Sequence, residues 1–157
     1  MLQLNLPQYK FNIKKQGERY YIFDSQRKRF VALTPEEWVR QNFIRFLIED
    51  KGYPAALLSI EHQLEINGMK RRCDAILFDR NAHPQLIIEF KAFNIPISQA
   101  VFDQVAVYNS KLKVDYFILS NGIEHHACFV DTATAQYKFL PNIPDYSLFS
   151  PYFSIFY

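Results

Sequence analysis

Cysteine is scarce in this chain of 157 residues: there are two, Cys73 and Cys128, far apart in sequence. That excludes a disulfide framework and a thiolate zinc site, and leaves each as a small buried hydrophobe in a strand. Long apolar runs are missing as well. No stretch approaches the ~20 residues that span a bilayer, and the opening Met-Leu-Gln-Leu-Asn-Leu has neither the basic start nor the apolar length of a signal peptide. The expectation is a cytoplasmic protein without a membrane partner. Neither sign of charge dominates. Eighteen Lys and Arg against sixteen Asp and Glu give a formal +2, which neither demands nor excludes nucleic acid, because binding follows clustering and not the total. Internal repeats, low-complexity linkers and a Gly-x-x-x-x-Gly-Lys-Ser/Thr phosphate loop are all absent.

What is present is apolar and aromatic. With 49% hydrophobic and 17% aromatic residues, the chain has the material for a core and reads as one domain, residues 1–157. Residues 1–33 suggest a small β-meander, with strands at Tyr9–Ile13, Arg19–Phe23 and Arg29–Leu33. Thr34-Pro35-Glu36-Glu37 is a strong helix start: Thr as N-cap, Pro at the first helical position and Glu37 at the capping-box position. Val39, Phe43, Phe46 and Leu47 give that helix its apolar stripe, and Gly52 followed by Tyr53-Pro54 ends it. A strand at 58–66 turns at Asn67-Gly68 into a second strand carrying Asp74. A third follows the turn-forming run Arg80 to Pro84, a helix runs from Ser98 to about Asn109, and strands at 114–120, 123–130 and 136–140 complete the chain.

The anomaly lies in the third strand. Leu86-Ile87-Ile88-Glu89-Phe90-Lys91 reads as buried, and a buried charge is costly unless it is paired or holds a metal. Glu89 and Lys91 are two apart and share a face. Closing the hairpin brings Asp74 opposite residue 89 or 90, where cross-strand Cβ atoms are about 4.5–5.5 Å apart. Two carboxylates and an ammonium on one face suit a hard cation such as Mg²⁺, hence hydrolysis of a phosphodiester. They suit a cross-strand salt bridge equally well. Among the basic clusters, only Lys70-Arg71-Arg72 runs straight into Asp74, and it is the candidate nucleic-acid contact. His125 and His126 are adjacent, so in a strand they point to opposite faces and are expected at a strand end, not around a metal.

Five blocks in this order resemble a known family: Thr34-Pro35-Glu36-Glu37-Trp38-Val39-Arg40-Gln41, Arg72-Cys73-Asp74-Ala75-Ile76, Glu89-Phe90-Lys91-Ala92, Gln104-Val105-Ala106-Val107-Tyr108-Asn109 and Ser120-Asn121-Gly122. They are similar to the N-terminal nuclease domain of type I restriction enzyme R subunits, within the PD-(D/E)XK nuclease superfamily. The resemblance covers residues 34–131. It implies an α/β restriction-endonuclease-like core in α-β-β-β-α-β order, a mixed central sheet flanked by helices. The meander at 1–33 then extends the core, and residues 132–157 add a strand and an aromatic tail.

By the same resemblance Asp74 and Glu89 are metal ligands, the Phe90 carbonyl is a third, and Lys91 is the catalytic lysine. Gln104 and Tyr108 match the Gln-x-x-x-Tyr element of the following helix. Glu37 fits both a further metal-site acid and the capping box. Arg40 is expected against phosphate or the site carboxylates, or in a surface salt bridge. The Pro usually found before the first acid is replaced by Cys73.

The implied activity is a Mg²⁺-dependent DNA endonuclease, with Mn²⁺ able to substitute. DNA and separate restriction-modification or helicase subunits are the implied partners. In type I enzymes this module precedes an ATP-driven translocase, for which the sequence has no phosphate loop, so a freestanding domain is expected. Two other readings stay open: a nuclease-fold module that binds nucleic acid or protein without cutting, and a small junction-resolving nuclease acting as a homodimer. The tail, Tyr146 to Tyr157, is either an exposed interface or packs back on the core.

Overall fold

The computed structural model describes residues 2–131 and 133–150. Three short antiparallel strands open it: β1 (Ile13–Gln16), β2 (Arg19–Asp24) and β3 (Arg29–Ala32). The first lies later than the aromatic content of Tyr9–Ile13 suggests. Gly17, at φ +61°, makes a two-residue turn and pairs Gln16 with Arg19. Phe11 packs edge-on against Trp38 instead, with ring centroids 5.5 Å apart.

Helix α1 (Pro35–Glu49) begins as its sequence requires: the Thr34 hydroxyl accepts the Glu37 N–H at 3.1 Å, with Pro35 in the first turn. It ends because Gly52, at φ +73°, turns the chain back so that the Tyr53 N–H donates to the Leu47 carbonyl. Strands β4 (Leu58–Ile66), β5 (Met69–Phe78) and β6 (Pro84–Phe90) follow, then helix α2 (Gln99–Leu112) and strands β7 (Tyr116–Ser120), β8 (His125–Asp131) and β9 (Gln136–Phe139). Ser98 sits at the N-cap of α2, but its hydroxyl makes no capping bond. The helix runs past Asn109 until Lys113 takes a left-handed conformation.

Strands β4 to β9 form one six-stranded sheet in sequence order. All neighbours are antiparallel except β6 and β7, which are parallel because α2 carries the chain back between them. One helix covers each face. Val39, Phe43 and Leu47 of α1 pack with Ala75, Leu77, Leu86, Ile88 and Phe90; Val101, Val105 and Tyr108 of α2 pack with Ile76, Ile87, Phe117 and Leu119. Each fully buried Phe or Leu contributes about 1.5–3 kcal/mol.

Cys73 and Cys128 are buried and free. His125 meets Phe43 on the α1 side and His126 meets Phe102 on the α2 side, opposite faces as strand alternation requires. Neither of these two helices is long and apolar enough to cross a membrane. Of the aromatic tail, Tyr146 and Phe149 pack on Tyr53, with centroids 5.8 and 6.0 Å away, while Leu148 is exposed. Pro151, Tyr152, Phe153, Phe156 and Tyr157 lie outside the described residues.

Candidate active site at a fork in the sheet

The site arises where a ladder stops. β5 and β6 pair as far as Ala75 opposite Ile88. Beyond that step the Phe90 N–H donates to a side chain, Asp74 Oδ2, at 2.7 Å. β6 stays in register with β7 through Phe90 and Ser120, and the Lys91 N–H donates to the Ser120 carbonyl at 2.9 Å. The sheet therefore forks at Asp74, and Lys91 lies one residue past the end of β6. Asp74 and Glu89 occupy the fork, 7% and 3% exposed. The Asp74 N–H points at Glu89 Oε2, 3.4 Å away.

From α2, Gln104 spans both acidic and basic members. Its amide nitrogen donates to Glu89 Oε1 at 2.6 Å and lies 2.9 Å from the Tyr108 hydroxyl, while its amide oxygen accepts from Lys91 Nζ at 3.0 Å. The Tyr108 hydroxyl donates to the Arg72 carbonyl at 2.9 Å, tying α2 to β5 just before Asp74. Gln104 and Tyr108 are four apart on one helical face, which is what lets them act together. Lys91 Nζ is 3.8 Å from Glu89 Oε1.

From α1, Arg40 is buried and its Nη2 meets Asp74 Oδ1 at 3.0 Å. The same guanidinium pairs with Glu37, with Glu36 at 3.4 Å and with Glu61 at 3.7 Å. This is a buried ion-pair cluster, not a surface salt bridge. Glu37 completes only half of a capping box. Its own N–H is capped by Thr34, but its carboxylate turns to Arg27, Arg40 and Gln41, and the Thr34 N–H donates to the Ala32 carbonyl. Glu37 touches neither Asp74 nor Glu89 and reaches the fork through Arg40. Lys70, Arg71 and Arg72 are exposed along β5 as it enters the fork, with Arg72 Nη1 3.7 Å from Glu61.

Sequence reasoning passed over three participants: Asp24, Arg27 and Glu61. Glu61 was within reach, since counting back from the Asn67-Gly68 turn sets it opposite Asp74. There it adopts φ +53°, a conformation rare for a residue with a side chain, between the pairs Ile60–Ala75 and His62–Cys73. Arg27 sits in the β2–β3 turn, and nothing local marks it.

The electrostatics are lopsided. Asp24, Glu36, Glu37, Glu61, Asp74 and Glu89 are served by Arg27, Arg40, Lys91 and, at the rim, Arg72. Burial, and then the neighbouring Asp74, push the Glu89 carboxyl up to about 8, with Lys91 pulling the other way. Burial opposes the Arg40 charge, but Asp74 and Glu37 outweigh it and raise its pKa. Among the described residues no group of three His, Cys, Asp or Glu side chains is set to hold a metal. The side-chain donors at the fork are two carboxylates, the number with which Mg²⁺ is usually bound while keeping waters for substrate. Two hard oxygen donors, one of them a carboxyl that burial and then Asp74 keep protonated, fit a divalent cation.

The family model for the type I restriction enzyme R protein N terminus matches residues 35–144. The chain belongs to that family. The match takes in α1, the fork and α2 but leaves out the meander, so Arg27 lies outside it. Among solved structures, a fragment assigned to an HsdR subunit of a type I restriction enzyme from Vibrio vulnificus YJ016 is similar at 18% identity and a TM-score of 0.47, over 68% of this chain and 23% of that one. The chain thus spans under a quarter of that structure's length. No curated protein matches it.

Proposed function

We propose that this member of the R-protein N-terminal family is a divalent-metal-dependent endonuclease that hydrolyses phosphodiester bonds in DNA. One observation carries the reading: two buried carboxylates, Asp74 and Glu89, meet where the sheet forks, with Lys91 tethered beside them through Gln104. Asp74, Glu89 and the Phe90 carbonyl would hold Mg²⁺ or Mn²⁺, which when bound stabilises charge on a phosphoryl oxygen and acidifies a water.

The chain's own residues do the rest. Lys91 orients the attacking water and offsets the developing negative charge. Gln104 fixes Lys91 against Glu89, and Tyr108 anchors Gln104 to the Arg72 carbonyl. Lys70, Arg71 and Arg72 contact the phosphate backbone on the approach to the fork. DNA is the substrate, and restriction-modification or helicase subunits are the protein partners. Supercoiled plasmid and single-stranded DNA incubated with the protein and Mg²⁺ or Mn²⁺ should be cleaved, with the activity lost in EDTA and in Lys91→Ala. Absence of cleavage, or cleavage undiminished in Lys91→Ala, overturns the reading.

A second reading, a module that binds without cutting, is favoured by one contact set. Both Asp74 oxygens already have partners, Arg40 and the Phe90 N–H. It predicts DNA binding that is indifferent to divalent metal.

A further inference from the structure

The meander reaches the fork through one side chain. In the β2–β3 turn, Asp24 is buried and its Oδ1 accepts the N–H groups of Gln26 and Arg27 at 2.8 and 3.1 Å, so the carboxylate builds the turn that presents Arg27. Gln26 docks that turn, its amide donating to the Ala55 carbonyl at 2.8 Å. The Arg27 guanidinium then spends each nitrogen on a different carboxylate: Nε on Asp24, Nη2 on Glu37 and Nη1 on Glu61, the last at 3.0 Å. With every guanidinium nitrogen engaged, none is left to hold a ligand from solution.

Each of those contacts sets up the next. Arg27 takes Glu37 Oε1, which leaves Oε2 for Arg40 Nη1 and turns Arg40 Nη2 onto Asp74 Oδ1 at 3.0 Å. Without Arg27, the buried Glu37 keeps Arg40 alone, and the half-buried Glu61 keeps Arg40 and Arg72, each 3.7 Å away. Arg40 is the one cation shared by Glu37, Glu61 and Asp74, and drawing it toward the first two takes it off Asp74.

We infer that Arg27 is a positioning residue for Asp74, acting through Glu37 and Arg40, and that the meander is thereby a working part of the site although the family match begins at residue 35. This rests on the nuclease reading. A planar fork serving three carboxylates in fixed directions is a task for arginine, which an ammonium copies only in part.

The test is steady-state plasmid cleavage in Mg²⁺ by wild type, Arg27→Gln, Arg27→Lys and Glu37→Gln, each checked for folding by circular dichroism and thermal melting. In the Arg27→Gln variant kcat falls about 10- to 100-fold while KM for DNA stays within about twofold, since all three Arg27 guanidinium nitrogens are held by carboxylates and none is left for substrate. Arg27→Lys recovers part of kcat, and Glu37→Gln, which breaks the same relay one step on, behaves like Arg27→Gln. Folded variants with wild-type kcat overturn the inference, as does activity that declines only in proportion to the folded fraction. An inactive wild type overturns the nuclease reading on which the inference rests; an active wild type with unaffected variants overturns the Arg27 role alone.

Discussion

Burial and Asp74 keep a proton on Glu89 up to about pH 8, and that shift sets how the residue acts on stability. The folded protein holds this proton more tightly than the unfolded chain, where the carboxyl titrates near 4.5. Its contribution is therefore full below about pH 4.5 and is lost as pH rises through about 8, so metal-free protein becomes less stable over that window. Glu89→Gln, which keeps the shape without the charge, should stabilise the metal-free protein by about 1–3 kcal/mol above pH 8 and by almost nothing near pH 4. Urea titrations in EDTA at the two pH values check this, and a variant weaker than wild type at both would contradict it. On the proposed metal-binding reading Mg²⁺ should reverse the order, stabilising wild type by binding the native state and doing little for the variant. A residue that costs stability until a cation arrives is a reasonable signature of a working site.

At the scale of elements, the turn between β7 and β8 shows how closely the N-terminal segment is fitted to the core. Gly122 has φ +84°, and a Cβ there would meet Leu4 Cδ2 at 2.9 Å and Val39 Cγ2 at 3.1 Å. Gly122→Ala should cost about 2 kcal/mol from strain and displaced packing together, read as a lower urea midpoint with an unchanged slope. Strand β4 and the turn after it were legible in the sequence because alternation and an Asn-Gly pair are local signals. So were the start of α1 and the convergence of Asp74 and Glu89. The first strand was not: Tyr9–Ile13 has strand composition, yet the tertiary packing of Phe11 on Trp38 and the turn at Gly17 decide otherwise. Glu37 was legible as a helix-start acid but not in its partnership. Its partner Arg27 is ten positions away on the far side of β3, and only the folded chain closes that distance. The fork itself was invisible, because the apolar runs around Asp74 and Glu89 continue as though the ladder did.

For the whole molecule, the distribution of charge matters more than its sum of +2. Lys70, Arg71 and Arg72 stand exposed on the strand that leads to the buried Asp74. Replacing all three with alanine should weaken DNA binding about equally for every sequence and flatten the dependence of log K on log salt by up to about 3, measured by fluorescence anisotropy. An unchanged slope would place the DNA elsewhere. Calorimetric titration of Mn²⁺ into wild type, Asp74→Asn and Glu89→Gln asks whether the fork takes a divalent metal, as proposed. Saturable binding at one site in wild type, weakened at least about tenfold in both folded variants, is the predicted result. No saturable binding to wild type, or equal binding by all three proteins, would contradict it and leave Asp74, Glu89, Arg40 and Lys91 as an ion-pair network and nothing more.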